Sequence, residues 1–228
     1  MKLNADLGQR AVALTDELPW QWSPDRSVRR RMLDRDGEEV ARATSLVKYP
    51  AGSRFPAHEH GAGEEFLVLE GVFSDEFGDY PPGTYVRNPP GSAHRPSSRE
   101  GCLIFVKLRQ FDPEDLKRIV VDTGTADFSP TRHPGLGALE LHRFSGEHVR
   151  ILRAEAPATI ADLHWPGGAE YLVLSGELAD DDGRYPAGAW LRLPPGSRQR
   201  LRVSSDAVFY LKTGHLIPGG DLTLSGGS

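Results

Sequence analysis

Hydrophobic positions along this chain come in short runs rather than long amphipathic stretches. ARATSLVKY, EEFLVLEG, GTYVRNP and CLIFVKLRQ are each rich in β-branched, leucine and aromatic residues, and turn residues lie between them. With 18 prolines and 25 glycines spread along the sequence, few runs lengthen to helix size. The pattern predicts an all-β protein of many short strands, built as a sandwich or barrel. One segment departs from it. DPEDLKRIV, starting at Asp112, has an N-cap aspartate, a proline at the first helical position and an acidic first turn, and so predicts a connecting helix.

The runs are repeated. EEFLVLEG, ending at Gly71, realigns with AEYLVLSG, ending at Gly176, and this offset of 105 then continues forward without a gap. Asp75 falls on Asp180, Tyr80-Pro81 on Tyr185-Pro186, Arg87 on Arg192, and Lys107 on Lys212. Pro89-Pro90-Gly91-Ser92 falls on Pro194-Pro195-Gly196-Ser197. One β-domain is therefore duplicated. The expected domains are 1–121 and 122–228, the boundary falling near Asp122 at the start of a polar, Pro/Gly-containing stretch.

The first copy carries Gly52-x5-His58-x-His60-x3-Glu64-x6-Gly71, then Gly83-x5-Pro89-x-Gly91-x2-His94. Two residues apart on an extended strand, His58 and His60 point to one face. Glu64 reaches that face after the Gly61–Gly63 turn, and the turn at Pro89, Pro90 and Gly91 brings His94 in on a neighbouring strand. Three imidazoles and a carboxylate suit a borderline divalent cation such as zinc, iron(II), manganese or nickel.

The second copy serves as an internal control. Leu163, Trp165, Ala169 and Gln199 stand where His58, His60, Glu64 and His94 stand in the first, while turn and core residues are kept. One metal ion per chain is expected, with an apolar, metal-free interior in the second copy. The same comparison demotes Arg87 and Lys107, which read as structural residues pairing at the rim. Asp75 reads as a turn residue, and Glu65, which recurs as Glu170, points away from Glu64 by strand alternation. Cys102, the only cysteine, reads as a buried thiol. His133, His142, His148, His164 and His215 are assigned no function.

These motifs resemble the two sequence motifs of the cupin superfamily. The run FPAHEHGAGEEFLVLEG through CLIFVKLRQ is similar to the ChrR-like cupin family, named for the C-terminal sensory half of a zinc-dependent anti-sigma factor. The resemblance implies a bicupin of two double-stranded β-helix, or jelly-roll, barrels, with a divalent metal on His58, His60, Glu64 and His94. It departs at Ser98, where an asparagine is loosely expected at a position that is not a ligand. The His/Cys/Cys signature of the anti-sigma factor's helical zinc domain is missing from this sequence, so an anti-sigma role is not expected to carry over. Related stand-alone cupins include iron(II) dioxygenases that cleave acetylacetone. Two functions stay open: a metal-dependent dioxygenase acting on a small chelating diketone or phenolic, and a non-enzymatic zinc-containing sensor.

Composition narrows the partners. Apolar residues make up 38% and charged residues 26%, as in a soluble globular protein, and no apolar run reaches membrane length. A net charge of -5 opposes binding to a nucleic acid backbone. Arg29, Arg30 and Arg31 are followed at once by acidic residues and read as a solvated strand end. Nothing at the N-terminus marks export, so a cytoplasmic location is expected. The expected partners are a small-molecule ligand or substrate and, through exposed β-edges, a second copy in a homodimer.

Overall fold

The computed structural model describes residues 1–216. Among these no α-helix forms, and Thr15–Glu17 is a single 3-10 turn. None of the described helices is long and apolar enough to cross a membrane. Two compact units appear: Met1–Asp6 with Ala13–Phe128, and Leu7–Val12 with Ser129 onward. Asp122 lies within the first unit, at the end of the strand Ile119–Asp122 that pairs with Thr84–Asn88.

The duplication read from sequence recurs in the strand order. In the first unit Arg29–Gly37, Ala41–Tyr49, Cys102–Leu108, Glu64–Gly71 and Thr84–Asn88 lie side by side, all antiparallel. The second unit repeats this as Leu136–Phe144, Glu147–Ala154, Ser197–Thr213, Ala169–Ala179 and Ala189–Leu193. From Ala41–Tyr49 onward the registers follow the offset, whereas the preceding strand is displaced by three residues. Ser45 opposes Val106 in the first unit, and Arg150 opposes Leu211 in the second.

Alternation along the central strand sorts side chains onto two faces. Phe66, Val68, Val86, Ile104 and Val106 point inward and form the core with Phe73, Tyr80 and Cys102. Burial pushes the Cys102 thiol up to about 11, as befits an inert core cysteine. Glu65, Tyr85, Arg87 and Lys107 point outward from the same strands. Arg87 and Lys107 were expected at the barrel rim, yet they are 0% and 1% exposed. The connector Phe111–Arg118 covers this outer face and forces the charges to be matched internally. Arg87 donates to Glu65 Oε2 at 2.7 Å and to Asp115 Oδ2 at 2.6 Å, with its guanidinium 3.8 Å from the Phe111 ring centre. Tyr85 donates to Glu65 as well, and Lys107 Nζ donates to Thr44 Oγ1 at 3.0 Å.

The same ion pairs explain why the helix expected from Asp112 does not form. Asp112 caps a turn, its Oδ1 accepting from the Glu114 N–H at 2.9 Å. The chain then straightens. Asp115 is drawn in beneath Arg87, and Ile119–Asp122 finds backbone partners along the sheet edge. Tertiary partners therefore outweigh the local helix signals, which are worth only tenths to about 1 kcal/mol each.

Arg29 and Arg31 are not simply solvated. They stack on the Trp22 and Trp20 rings at 4.6 and 4.5 Å, and Arg31 pairs with Asp16 at 3.0 Å.

Removing Arg87 leaves two carboxylates buried without their cation. Arg87→Ala is expected to lower the unfolding free energy by about 3–5 kcal/mol, whereas Arg95→Ala at an exposed position shifts it by less than about 0.5 kcal/mol. Urea denaturation of both variants checks the contrast.

Candidate metal centre

Two short strands, His58–His60 and Ser92–His94, pair antiparallel and apart from the large sheet. Their register sets His94 opposite His58 and Ser92 opposite His60. Backbone bonds hold the pair in place, because the His60 carbonyl accepts from Gly63 N–H at 3.2 Å and from Gly91 N–H at 2.9 Å. Gly63 is required in the first of these turns. Its φ is +79°, and a Cβ there would meet the Phe111 ring at 2.4 Å. The turn delivers the chain into Glu64–Gly71, whose first side chain points into the barrel.

All four residues picked out by spacing come together. The ring centres of His58 and His60, His58 and His94, and His60 and His94 are 5.0, 5.1 and 4.7 Å apart. One ligand nitrogen from each histidine lies within 4.8 Å of the other two. Glu64 Oε2 stands 3.4 Å from His60 Nε2 and 3.5 Å from His94 Nε2. Asn88 Nδ2 holds the same oxygen at 3.3 Å.

Hydrogen bonds on the far sides of the rings decide which nitrogen faces the centre. A carbonyl can only accept, so His58 Nδ1 carries the proton it gives to Pro56 O at 3.2 Å. His94 Nδ1 likewise donates to Asp75 Oδ2 at 3.2 Å. Both rings are left with Nε2 as a free lone pair. Asp75 was read as a turn residue, and it does cap its turn through the Phe77 N–H at 2.8 Å, but it also orients a candidate ligand. Burial works to raise its pKa. Hydrogen bonds from His94, the Phe77 backbone and the Tyr80 hydroxyl outweigh that effect and hold the carboxyl below the usual aspartate range. Tyr80 is pushed up to about 12 by burial and then by its bond to Asp75.

Whether these residues fit a cation is answered by their unmet bonds. His60 Nε2 and His94 Nε2 are buried with no hydrogen-bond partner among the described residues. Burial, more than the nearby charges, holds His60 below the ordinary histidine pKa and favours its neutral ring. Two orphaned ring nitrogens beside a buried carboxylate are costly without a shared cation. The donor set fits a divalent ion.

Sequence reasoning missed Asp75 and Asn88 as supports for the site. Asp75 was discounted because it recurs as Asp180, but the recurrence carries its own signal. Asp180 Oδ2 accepts from Gln199 Nε2 at 2.9 Å, so the second unit keeps the same support for the residue that replaces His94. Gln199 Oε1 in turn accepts from Tyr171 at 2.7 Å and from Trp165 Nε1 at 3.3 Å. The ligand-equivalent positions expected to be apolar thus hold a satisfied polar network, since the glutamine's donors and acceptors need partners once buried. Among the histidines given no role, His148 bonds Glu140 at 2.7 Å and His215 bonds Glu170 at 3.1 Å.

Comparison with known proteins places this geometry in a family. The family described as ChrR Cupin-like domain matches residues 8–112 and again 116–217. The chain belongs to that family. No curated protein matches the sequence. Among solved structures, a candidate dioxygenase from Nostoc punctiforme is similar with a TM-score of 0.76 at 16% identity, over 92% of this chain and 84% of that one. The protein Ylba from E. coli gives a TM-score of 0.69 at 17% identity, over 92% of both chains. Oxalate decarboxylase from Bacillus subtilis, whose Mn(II) centres have been characterised, gives 0.61 at 12% identity, over 91% of this chain and 78% of that one. At such identities the likeness concerns the fold. This ChrR-like cupin is an all-β bicupin.

Removing the support at Asp75 is expected to cost about 10- to 100-fold in metal affinity. His94→Ala should abolish metal binding, and Gln199→Ala should leave it unchanged. Equilibrium dialysis with Zn(II) on Asp75→Ala, His94→Ala and Gln199→Ala tests all three, and full occupancy in the His94 variant would overturn the assignment.

Proposed function

We propose that this bicupin holds one divalent metal ion on His58, His60, Glu64 and His94 and acts as a dioxygenase on a small chelating substrate, a diketone or phenolic. The observation that carries this reading is the asymmetry of the site. His60, Glu64 and His94 are buried, while His58 is exposed. The buried residues form a preorganised wall, and the His58 side leaves a way in for a small molecule. When bound, the ion would supply Lewis-acid and, as iron(II), one-electron chemistry at positions the four donors leave open.

The chain's own residues set the conditions for that chemistry. Asp75 keeps the His94 proton on Nδ1, and Pro56 O does the same for His58. Asn88 holds the Glu64 carboxylate in place. Phe73 packs against the His94 ring at 5.8 Å and shields its inner side from water. A substrate that chelates as an enolate or phenolate requires no general base from the protein. The likeness to a candidate dioxygenase at a TM-score of 0.76 supports the same class.

Elemental analysis of the purified protein, joined to oxygen uptake with acetylacetone and catechol, tests the reading. Bound iron with uptake on either compound is expected. Tightly bound zinc without turnover would sink the dioxygenase and favour a zinc sensor.

A further inference from the structure

The interior of the second barrel is not filled. A cavity of about 390 Å³ lies there, within the size range of small-molecule sites. Leu152, Ile160, Leu163, Leu201 and Phe209 make its walls, so most of the surface facing it is aliphatic or aromatic. Into it projects a half-buried cation, Arg150. Its Nε is fully buried, and among the described residues the guanidinium has no hydrogen-bond or ion-pair partner. Every residue lining this space belongs to the second unit.

The duplication shows that Arg150 is not needed to build a barrel. Its register partner Leu211 corresponds to Val106, and Val106 opposes Ser45 in the first unit. An interior serine has therefore been exchanged for arginine in the copy that lacks metal ligands. Scaffold arginines elsewhere in the chain are matched, as Arg87 is by Glu65 and Asp115. An unmatched arginine partly withdrawn from water in a mostly apolar wall carries a cost in stability that a partner would offset. Burial pulls its pKa below the ordinary arginine value and the like charge of Arg143 adds to this, against smaller opposing contributions from Tyr171 and Glu140. Glu140, on the neighbouring strand, is exposed and bonded to His148.

Polar groups around the cavity favour the same charge of ligand. Arg132 and His133 stand with Arg150 among the lining residues, and no carboxylate is among them. The Tyr171 hydroxyl is committed to Gln199, with Asp180 bonded behind that glutamine, which leaves the Arg150 guanidinium as the strong donor set among the apolar walls. We propose that the second barrel binds a small amphiphilic carboxylate, an aromatic or medium-chain acid, with its carboxylate on Arg150 and its apolar body against the aliphatic wall. Planar two-point donation by a guanidinium suits a carboxylate. This site is independent of the metal centre and of the reaction assigned to it.

Sodium octanoate serves as the probe, with octan-1-ol as its uncharged counterpart, in calorimetric titrations of the full chain. Octanoate is expected to bind about tenfold or more tightly than octan-1-ol, the ratio set by one charge-assisted contact. Arg150→Met keeps the apolar volume and should bring the two affinities together. Equal affinity of the unaltered protein for the acid and the alcohol would overturn the proposal, and this comparison stands even where the variant fails to fold. An undiminished preference for octanoate over octan-1-ol in a folded Arg150→Met protein would also overturn it. The titration is repeated on His94→Ala. Unchanged octanoate affinity there supports the second-barrel site, whereas loss of binding places the carboxylate on the metal and refutes it.

Discussion

Strand Glu64–Gly71 opens with two adjacent carboxylates in the middle of a sheet, and each must be compensated where it is buried. Alternation sends Glu64 inward and Glu65 outward. On the outside the answer is covalent to the protein: Arg87, with Asp115 as its second carboxylate and Phe111 stacked over it. On the inside no basic side chain is supplied. Glu64 instead faces the unpartnered ring nitrogens of His60 and His94, an arrangement that a cation would complete. The path of the connector, the loss of its helix and the candidate metal centre all follow from this pair of requirements.

The second barrel shows what happens when the inward carboxylate is withdrawn. Ala169 takes the place of Glu64, so no buried negative charge remains at that point and no cation is called for. The support from the neighbouring hairpin is nevertheless kept, with Asp180 now bonded to Gln199 rather than to a histidine. Neutral hydrogen bonds from Tyr171 and Trp165 complete the network. The space beside it is lined by apolar residues and Arg150, an inventory unlike that of the first barrel. Duplication has separated two kinds of interior on one strand order.

Comparing the copies was informative for residues that changed and misleading for one that did not. Loss of all four candidate ligands together pointed to a unit, and the structure brings those four side chains into one cluster. Retention of Asp75 as Asp180 suggested a mere turn, because a residue serving both hairpin and site looks the same in sequence as one serving the hairpin alone. Arg150 was overlooked for a different reason. It belongs to no motif, and its inward placement becomes visible only once its strand is set in register against Ser197–Thr213.

Sequence alone determined the strand-rich class, the duplication and the four residues of the candidate site, because these rest on short-range geometry. The period of two along a strand and the turns made by Gly and Pro act within a few residues of each other. The tertiary structure decided what depends on partners distant in sequence. It drew Asp115 under Arg87 and so cancelled a locally favoured helix, and it set Asp75 on the outer nitrogen of His94. It also left Arg150 inside a cavity without a carboxylate. In each case the energy comes from burial, which makes an unmatched charge or lone pair costly, and burial is a property of the packed molecule rather than of any stretch of its chain.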